Sequence, residues 1–401
     1  MPPGLVVLIL SALLGIQPIT TDLYLPALPA LTEGFGGSMR QAQLTLSALL
    51  LAFGTSQLIW GPLSDRFGRR PVLLWGLAAY TLASVGSTFA PSIELLIVWR
   101  VVQGATMGAV VMCARAIVRD LYLPADGARM MSKGLSGLGV LACLSAPVGG
   151  LLAEFLGWRA ALTAVAVFGA AALLLVALRF KETLVRKNLK ALQPANMGRT
   201  WLGIASNPAF LAFSALSAAS YGGLFTFLAS SSFIFTGVLG LSTAQYGLVM
   251  FSMCLFYVVG TFVCRRLLPR FGIRKSVAIA AGLSLSGGTL VGVLSLAGIH
   301  NVWAIMLPFY LFMLGHGVHQ PCGQSGAVGP FPQSAGAASA LNGFLMMVVA
   351  FAMGGWLGTH MDGTVMPLTL GVWFWSVLVA ASAWTLVQKH GESPPVALKP
   401  T

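Results

Sequence analysis

The sequence predicts an all-α polytopic membrane protein, with twelve transmembrane helices in two six-helix bundles. Three observations carry that expectation. Of 401 residues, 57% are hydrophobic and 8% are charged, and the mean hydropathy is +0.86, a balance no water-soluble domain of this length could bury. Apolar runs of about 20 residues recur along the chain, the length a helix needs to cross the hydrocarbon core. The longest polar stretch, Phe180 to Asn207, divides those runs into two sets of six. Alternating patterning is absent, which excludes an outer-membrane barrel.

The spans read as 4–30, 41–62, 71–90, 93–114, 130–153, 159–179, 208–235, 243–264, 276–298, 302–325, 336–359 and 364–387. The organisation is a first bundle at 1–180, a cytoplasmic linker at 181–207, a second bundle at 208–388 and a cytoplasmic tail at 389–401. Met1 to Pro3 carry no basic residue and lead straight into Gly4-Leu5-Val6, so the first run reads as a helix rather than a cleaved leader. Of the 23 Lys and Arg residues, 20 fall on one side of these spans. Arg40 and Arg159 lie on the other, and Arg100 falls inside a span. The basic side is cytoplasmic by the positive-inside rule, with both termini there. This placement turns the net charge of +13 into topology and argues against a nucleic-acid partner. The five cysteines lie in or beside apolar runs without a CxxC, so they read as free thiols, with no metal site or disulfide framework.

The most informative loop is Gly61-Pro62-Leu63-Ser64-Asp65-Arg66-Phe67-Gly68-Arg69-Arg70-Pro71. Two apolar helices must turn there, and Gly and Pro are expected at the bend. Asp65 is its one acid, free to meet a basic group or a helix N-terminus. Arg66-Phe67-Gly68 and Arg70 recur as Arg270-Phe271-Gly272 and Arg274, with Pro269 where Asp65 stands. Gly149-Gly150 likewise echo in Gly354-Gly355. Duplicated halves around a midplane site are a transporter pattern.

Asp22 is the one carboxylate placed inside a span, at a cost of about 2.5–3.5 kcal/mol that demands a use. Pro26 cannot donate to the Asp22 carbonyl, nor Pro29 to that of Leu25, so these carbonyls need water or a partner. Burial favours the neutral acid and a nearby cation favours the charged form. A group balanced between them can take up a proton on one side and release it on the other. Arg100 is the expected counterpart. Arg100, Gly104 and Gly108 share one helix face with Gln103 beside them, which suits a polar cavity or a close helix contact. In the fifth span, Gly139, Cys143, Ala146 and Gly150 form a small-residue stripe, with Pro147 adding a kink and Gly149 alongside.

His316 and His319, with Gln320, share a face of the tenth span and can relay protons or touch substrate. Two His without a third ligand make a poor metal site. Tyr221, Phe225 and Phe227 can stack on an aromatic solute, or simply pack. Gln17, Tyr24 and Asn342 complete the candidate pocket. There is no Gly-rich phosphate loop with a Lys, so ATP-driven transport has no motif here.

Thr21 to Pro26, Gly61 to Pro71, Arg100 to Gly104 and Arg115-Ala116-Ile117-Val118-Arg119-Asp120 together resemble the bicyclomycin/chloramphenicol-resistance group of the major facilitator superfamily. Ala146-Pro147 with Gly149-Gly150 resembles that superfamily's antiporter motif, with Ala146 where Gly is usual. The resemblance is densest over about the first 180 residues. It implies a proton-coupled exporter of small amphipathic drugs, working by alternating access as a monomer in a bacterial inner membrane. The proton would be the coupling ion, with no other cofactor. It implies a proton role for Asp22, a helper role for Arg100, and a gating role for Asp65 and the loop residues Gly61, Arg66, Gly68, Arg69 and Arg70. Asp65 would lock the cytoplasmic side through the start of the eleventh span, near Ser334-Ala335, and through Arg115 or Arg119. The alternatives are an exporter or uniporter of a nucleoside, amino acid or sugar, a homologue without flux, and a membrane enzyme using His316 and His319.

Overall fold

A computed structural model describes residues 1–122, 124–184 and 194–391. The middle of the expected linker and most of the expected tail lie outside the described residues. The described chain is helical throughout, without strands. In order, the helices are α1 Pro3–Thr21, α2 Leu28–Gly34, α3 Met39–Phe67, α4 Arg69–Thr88, α5 Ile93–Leu121, α6 Pro124–Leu156 and α7 Trp158–Arg179. They continue as α8 Pro194–Ala205, α9 Pro208–Ser232, α10 Thr243–Leu296, α11 Val302–Val328, α12 Ala335–His360, α13 Met366–Ala381 and α14 Val387–His390.

Among the described residues, ten stretches are long and apolar enough to cross a membrane. One of them, α10, runs 54 residues and is broken by non-helical Gly272, so it supplies two spans. Helix α4 is long enough but less apolar; with it the count reaches the expected twelve. Side chains such as Leu82, Phe155, Leu178 and Trp303 stand exposed along these helices, as they would against lipid.

Helix starts are set by local polar chemistry. Ser38 and Gln41 form a reciprocal capping box on α3. Asn301 Oδ1 accepts from the Ala304 N–H to cap α11. Each cap contributes about 1 kcal/mol. Two expectations change. The turn in the charged loop is not at Gly61-Pro62, which sit inside α3; it is at Gly68 alone, with φ 111° and ψ 161°. Its repeat partner Gly272, with φ 69°, breaks α10 in the same way. The stretch expected to be polar linker also contains α8. Ile204 on α8 is buried in an apolar cluster with Phe210 and Phe213, which gives those residues a reason to coil.

Two compact units emerge. One holds Met1–Gln193, Leu228–Leu255 and Ala350–Pro367; the other holds Pro194–Phe227, Phe256–Val349 and Leu368–Thr401. Within the first, α3 and α5 approach closely. A side chain at Gly104 would collide with the Leu49 backbone, and one at Gly108 with Ser56 Oγ, which is the close contact their spacing anticipated. Within this unit the 228–255 segment is tied to α3 and α6 by polar bonds. Gln43 Nε2 donates to the Ala229 carbonyl at 2.7 Å, and Glu154 accepts from the Ala244 N–H at 2.7 Å. In the second unit the core is aromatic and aliphatic, built on Phe210, Phe213, Leu216, Val318 and Val379.

Candidate functional site

Helix α1 ends at Thr21, and Asp22 is its C-terminal cap residue. A short 3₁₀ turn at Leu25–Ala27 follows before α2 begins. The break lies where Pro26 and Pro29 remove donors. The Leu25 carbonyl, freed by Pro29, accepts from Ser232 Oγ at 2.8 Å. The Asp22 carboxylate is half-buried and accepts from Thr21 Oγ1 at 2.8 Å. Among the described residues no cation stands within ion-pair distance of it. Gln17, one turn earlier, is half-buried and gives its carbonyl to the same Thr21 hydroxyl.

Arg100 does not pair with Asp22, contrary to expectation. Its guanidinium is fully buried and already occupied. Nε donates to the Thr45 carbonyl at 3.3 Å, Nη1 to Gln103 Oε1 at 3.0 Å and Nη2 to the Thr20 carbonyl at 3.1 Å. The cation also lies 4.2 Å above the Tyr24 ring. Gln103 passes the network on, donating to Ser84 Oγ at 2.7 Å. Tyr24 is enclosed, with its hydroxyl 2.5 Å from Thr45 Oγ1. Arg100 therefore holds the end of α1 by its carbonyl, two residues before the carboxylate. An Arg fork suits this, because it satisfies several acceptors from one plane.

The charged loop is built around Arg69. This residue is 1% exposed. Its Nη1 lies 2.7 Å from Asp65 Oδ1 and its Nε 2.8 Å from Asp120 Oδ2. Asp65 also faces Arg119 at 3.8 Å, as the resemblance implied for that side. Arg115, one turn earlier on α5, is exposed, and so is Arg66, which lies 5.6 Å over the Phe67 ring. A Cβ added at Gly61 would be in ordinary contact with the Met112 side chain. Arg70 donates to the carbonyls of Phe180 and Ala177, both at 3.0 Å. Sequence reasoning missed Glu182. Gly68 offers no side chain to cap α4, and Glu182 takes that role from a distant position. It accepts the backbone N–H groups of Arg69 and Arg70, each at 3.0 Å. Burial alone would raise its carboxyl, but the donors from Leu184, Arg70, Arg69 and Thr183 outweigh it and hold the group below its ordinary 4.5. No local signal could have found this, because an anion at a helix N-terminus can come from anywhere in the chain.

The small-residue stripe of α6 meets its partner in α10. Gly150 abuts the Thr243 carbonyl, and a side chain at Gly247 would lie 2.9 Å from the Ala146 carbonyl and from Pro147 Cα. Gly149 faces the Leu23 carbonyl instead, beside Asp22. Gly139 has open space around it and is not part of the close contact.

The profile of the Major Facilitator Superfamily matches residues 10–355. The chain belongs to that superfamily. Its curated relatives include a bicyclomycin resistance protein homologue of Haemophilus influenzae, 26% identical and covering 90% of this chain and 91% of the relative. A chloramphenicol resistance protein of Pseudomonas aeruginosa is 28% identical over 95% and 86%. Multidrug resistance protein D of Escherichia coli is 29% identical over 85% of each chain. Among solved structures, a bacterial homologue of the human lysosomal transporter Spinster superposes with a TM-score of 0.76 at 14% identity, covering 99% of this chain and 100% of that one. A D-xylose–proton symporter gives 0.72 at 16% identity, over 97% and 99%. These two establish the fold alone.

The remaining candidates lie in the second unit. His316 Nδ1 lies 2.8 Å from Ser220 Oγ, and its ring is 5.6 Å from that of Tyr257. His319 is fully buried on the next turn, and among the described residues neither ring nitrogen meets a hydrogen-bond partner of good geometry. Gln320 donates to the Ser217 carbonyl at 3.1 Å. Asn342 is buried, and its Oδ1 meets no hydrogen-bond partner among the described residues. Phe225 is enclosed, Tyr221 nearly so, and Phe227 stacks on Phe309 at 4.1 Å. The arrangement joins His316 and Gln320 to Ser220 and Ser217 on α9, while Phe227 stacks on Phe309.

Proposed function

We propose that this superfamily member is a proton-coupled antiporter that exports small amphipathic drugs from the cytoplasm by alternating access. It works in a bacterial inner membrane with both termini cytoplasmic. The observation that carries the reading is Asp22. It is a half-buried carboxylate at a helix break, hydrogen-bonded to Thr21 and free of an ion-pair partner among the described residues. Such a group can exchange a proton without first breaking a salt bridge. Proton and drug then act by binding the two transport states unequally, which is what shifts the equilibrium between them. The resistance names of the curated relatives support a drug as cargo. The enclosed network around Arg100 supports the broken end of α1 and leaves the acid to titrate.

The test is transport of a phenicol and a small drug panel into everted vesicles under an imposed pH gradient, comparing wild type with Asp22→Asn. Loss of pH-driven uptake in the variant at normal expression is the expected result. Full pH-driven uptake by Asp22→Asn would sink the proton role. A wild type that moves no drug but moves a nucleoside, amino acid or sugar would sink the drug assignment.

A further inference from the structure

The second copy of the charged turn differs from the first in its balance of charge. In the first copy three acids meet the cations and the helix start. Asp65 and Asp120 bind Arg69, and Glu182 holds the N–H groups that open α4. The offset of 204 residues that carries Arg66 to Arg270 carries those acids to Pro269, Gln324 and Leu386, none of them charged. Arg274 still repeats the part of Arg70. It donates to the Gln388 carbonyl, and Gln388 Nε2 donates back to the Arg274 carbonyl at 3.0 Å. Among its described residues the second unit holds seven Lys or Arg and no Asp or Glu. Arg265, Arg266, Arg270 and Lys275 are exposed, and none meets a carboxylate among the described residues. Leu268 and Ile273 pack inward on the apolar cluster that includes Ile204 of α8, which leaves the charged residues around them facing outward. Both halves of α10 expose apolar side chains beside the turn, with Val259 and Phe262 before it, Phe271 within it and Ile279 after it. Arg265 lies 5.2 Å over the Phe262 ring.

We propose that this turn, from Arg265 to Lys275, binds the headgroup phosphate of an anionic phospholipid. The turn joins two spans, so its cations stand at headgroup level. Arg266 and Arg270 are one helical turn apart and repel each other. Arg274 and Lys275 open the helix after Gly272, where the macrodipole disfavours cations. One anion offsets both penalties, and in the first copy the chain supplies it from within. Guanidinium forks match the paired oxygens of a phosphodiester. The exposed apolar side chains on either side of the turn fit the acyl chains, which a free phosphate does not have.

The test is native mass spectrometry of the purified full chain, stripped of lipid in detergent and titrated with phosphatidylglycerol or phosphatidylcholine. Each engaged cation is worth about fivefold beside an anionic headgroup, so three of them should give phosphatidylglycerol a preference of about 100-fold. The preference should collapse in high salt. The variant Arg265→Gln/Arg266→Gln/Arg270→Gln/Lys275→Gln should bind the two lipids alike. Pro269→Asp, which writes the acid of the first copy into the second, should lower the preference about fivefold and tests the site without removing a cation. Arg66→Gln, in the first copy, should keep the full preference. Equal binding of both lipids by wild type, a preference that persists in high salt or in the quadruple variant, or an equal loss in Arg66→Gln overturns the site. Displacement of the bound lipid by millimolar inorganic phosphate shows a site that reads phosphate alone and overturns the lipid assignment. No readout involves a drug or a proton gradient, so failure here is distinct from failure of the antiport reading.

Discussion

Replacing Gly68 by Ala should destabilise the protein more than the same change at its repeat partner Gly272, and the difference should vanish without Glu182. Both glycines have positive φ, 111° and 69°, with ψ near extended values. This region is nearly closed to residues with a Cβ, so each substitution costs about 1–3 kcal/mol in backbone strain. The surroundings differ. A Cβ at Gly272 meets nothing within 4 Å, whereas one at Gly68 would stand 2.6 Å from Glu182 Oε2. Moving that carboxylate releases the N–H groups of Arg69 and Arg70, each held at 3.0 Å. Bonds to a charged acceptor are worth about 1.5–3 kcal/mol when buried. Glu182 is partly solvated, so the excess should be about 1–2 kcal/mol. Thermal unfolding of the four proteins, Gly68→Ala and Gly272→Ala with and without Glu182→Ala, in one detergent–lipid mixture reads the difference. Equal losses at the two glycines, or an excess that survives Glu182→Ala, would refute the argument.

Two further predictions concern charge. The folded-state carboxyl of Glu182 lies below its ordinary 4.5, so its stabilisation is fully present above that value and is lost as pH falls through the folded value. The melting gap between wild type and Glu182→Gln should therefore hold steady from pH 7 to about 5 and close in stronger acid; a gap independent of pH would contradict the cap. Arg100→Lys should lower stability by about 2–4 kcal/mol, because an ammonium cannot serve the three acceptors of Arg100 and stack on Tyr24 as well. The normalised pH profile of transport should keep its shape, since Arg100 does not touch Asp22; a displaced profile would show a direct electrostatic link.

Much of the architecture was legible because bilayer solvent enforces it. Apolar length, Lys and Arg placement and the recurrence of Arg-Phe-Gly are one-dimensional signals. Helix breaks were legible where a residue type decides them. Pro26 and Pro29 foretold free carbonyls in the first span, and the Leu25 carbonyl indeed finds Ser232. Gly61-Pro62 misled because a Pro can sit within a membrane helix, and a Gly turns the chain only where φ is positive, as at Gly68. Glu182 and Ser232, and the pairing of Asp120 with Arg69, were invisible because each acts on an element far away in sequence. The partner of the α6 stripe was hidden for the same reason, and Gly139 shows that a residue can keep the spacing of a stripe and still face open space.

The expected pairing of Asp22 with Arg100 failed on a matter of counting acceptors. A buried guanidinium must fill several donors, and one carboxylate is the economical answer only if nothing else is unpaired nearby. Here the broken end of α1 supplies what a continuous helix would not: a carbonyl at Thr20 with no donor from the next turn. The carbonyls of Thr20 and Thr45, Gln103 Oε1 and the Tyr24 ring together surround Arg100. The same break that frees the carbonyl places Asp22 at the helix end, where it needs no cation to remain. One local interruption thus separates two groups the sequence seemed to join in a single ion pair: Arg100 fixes the geometry of the break, and Asp22 is left, among the described residues, with no cation within ion-pair distance.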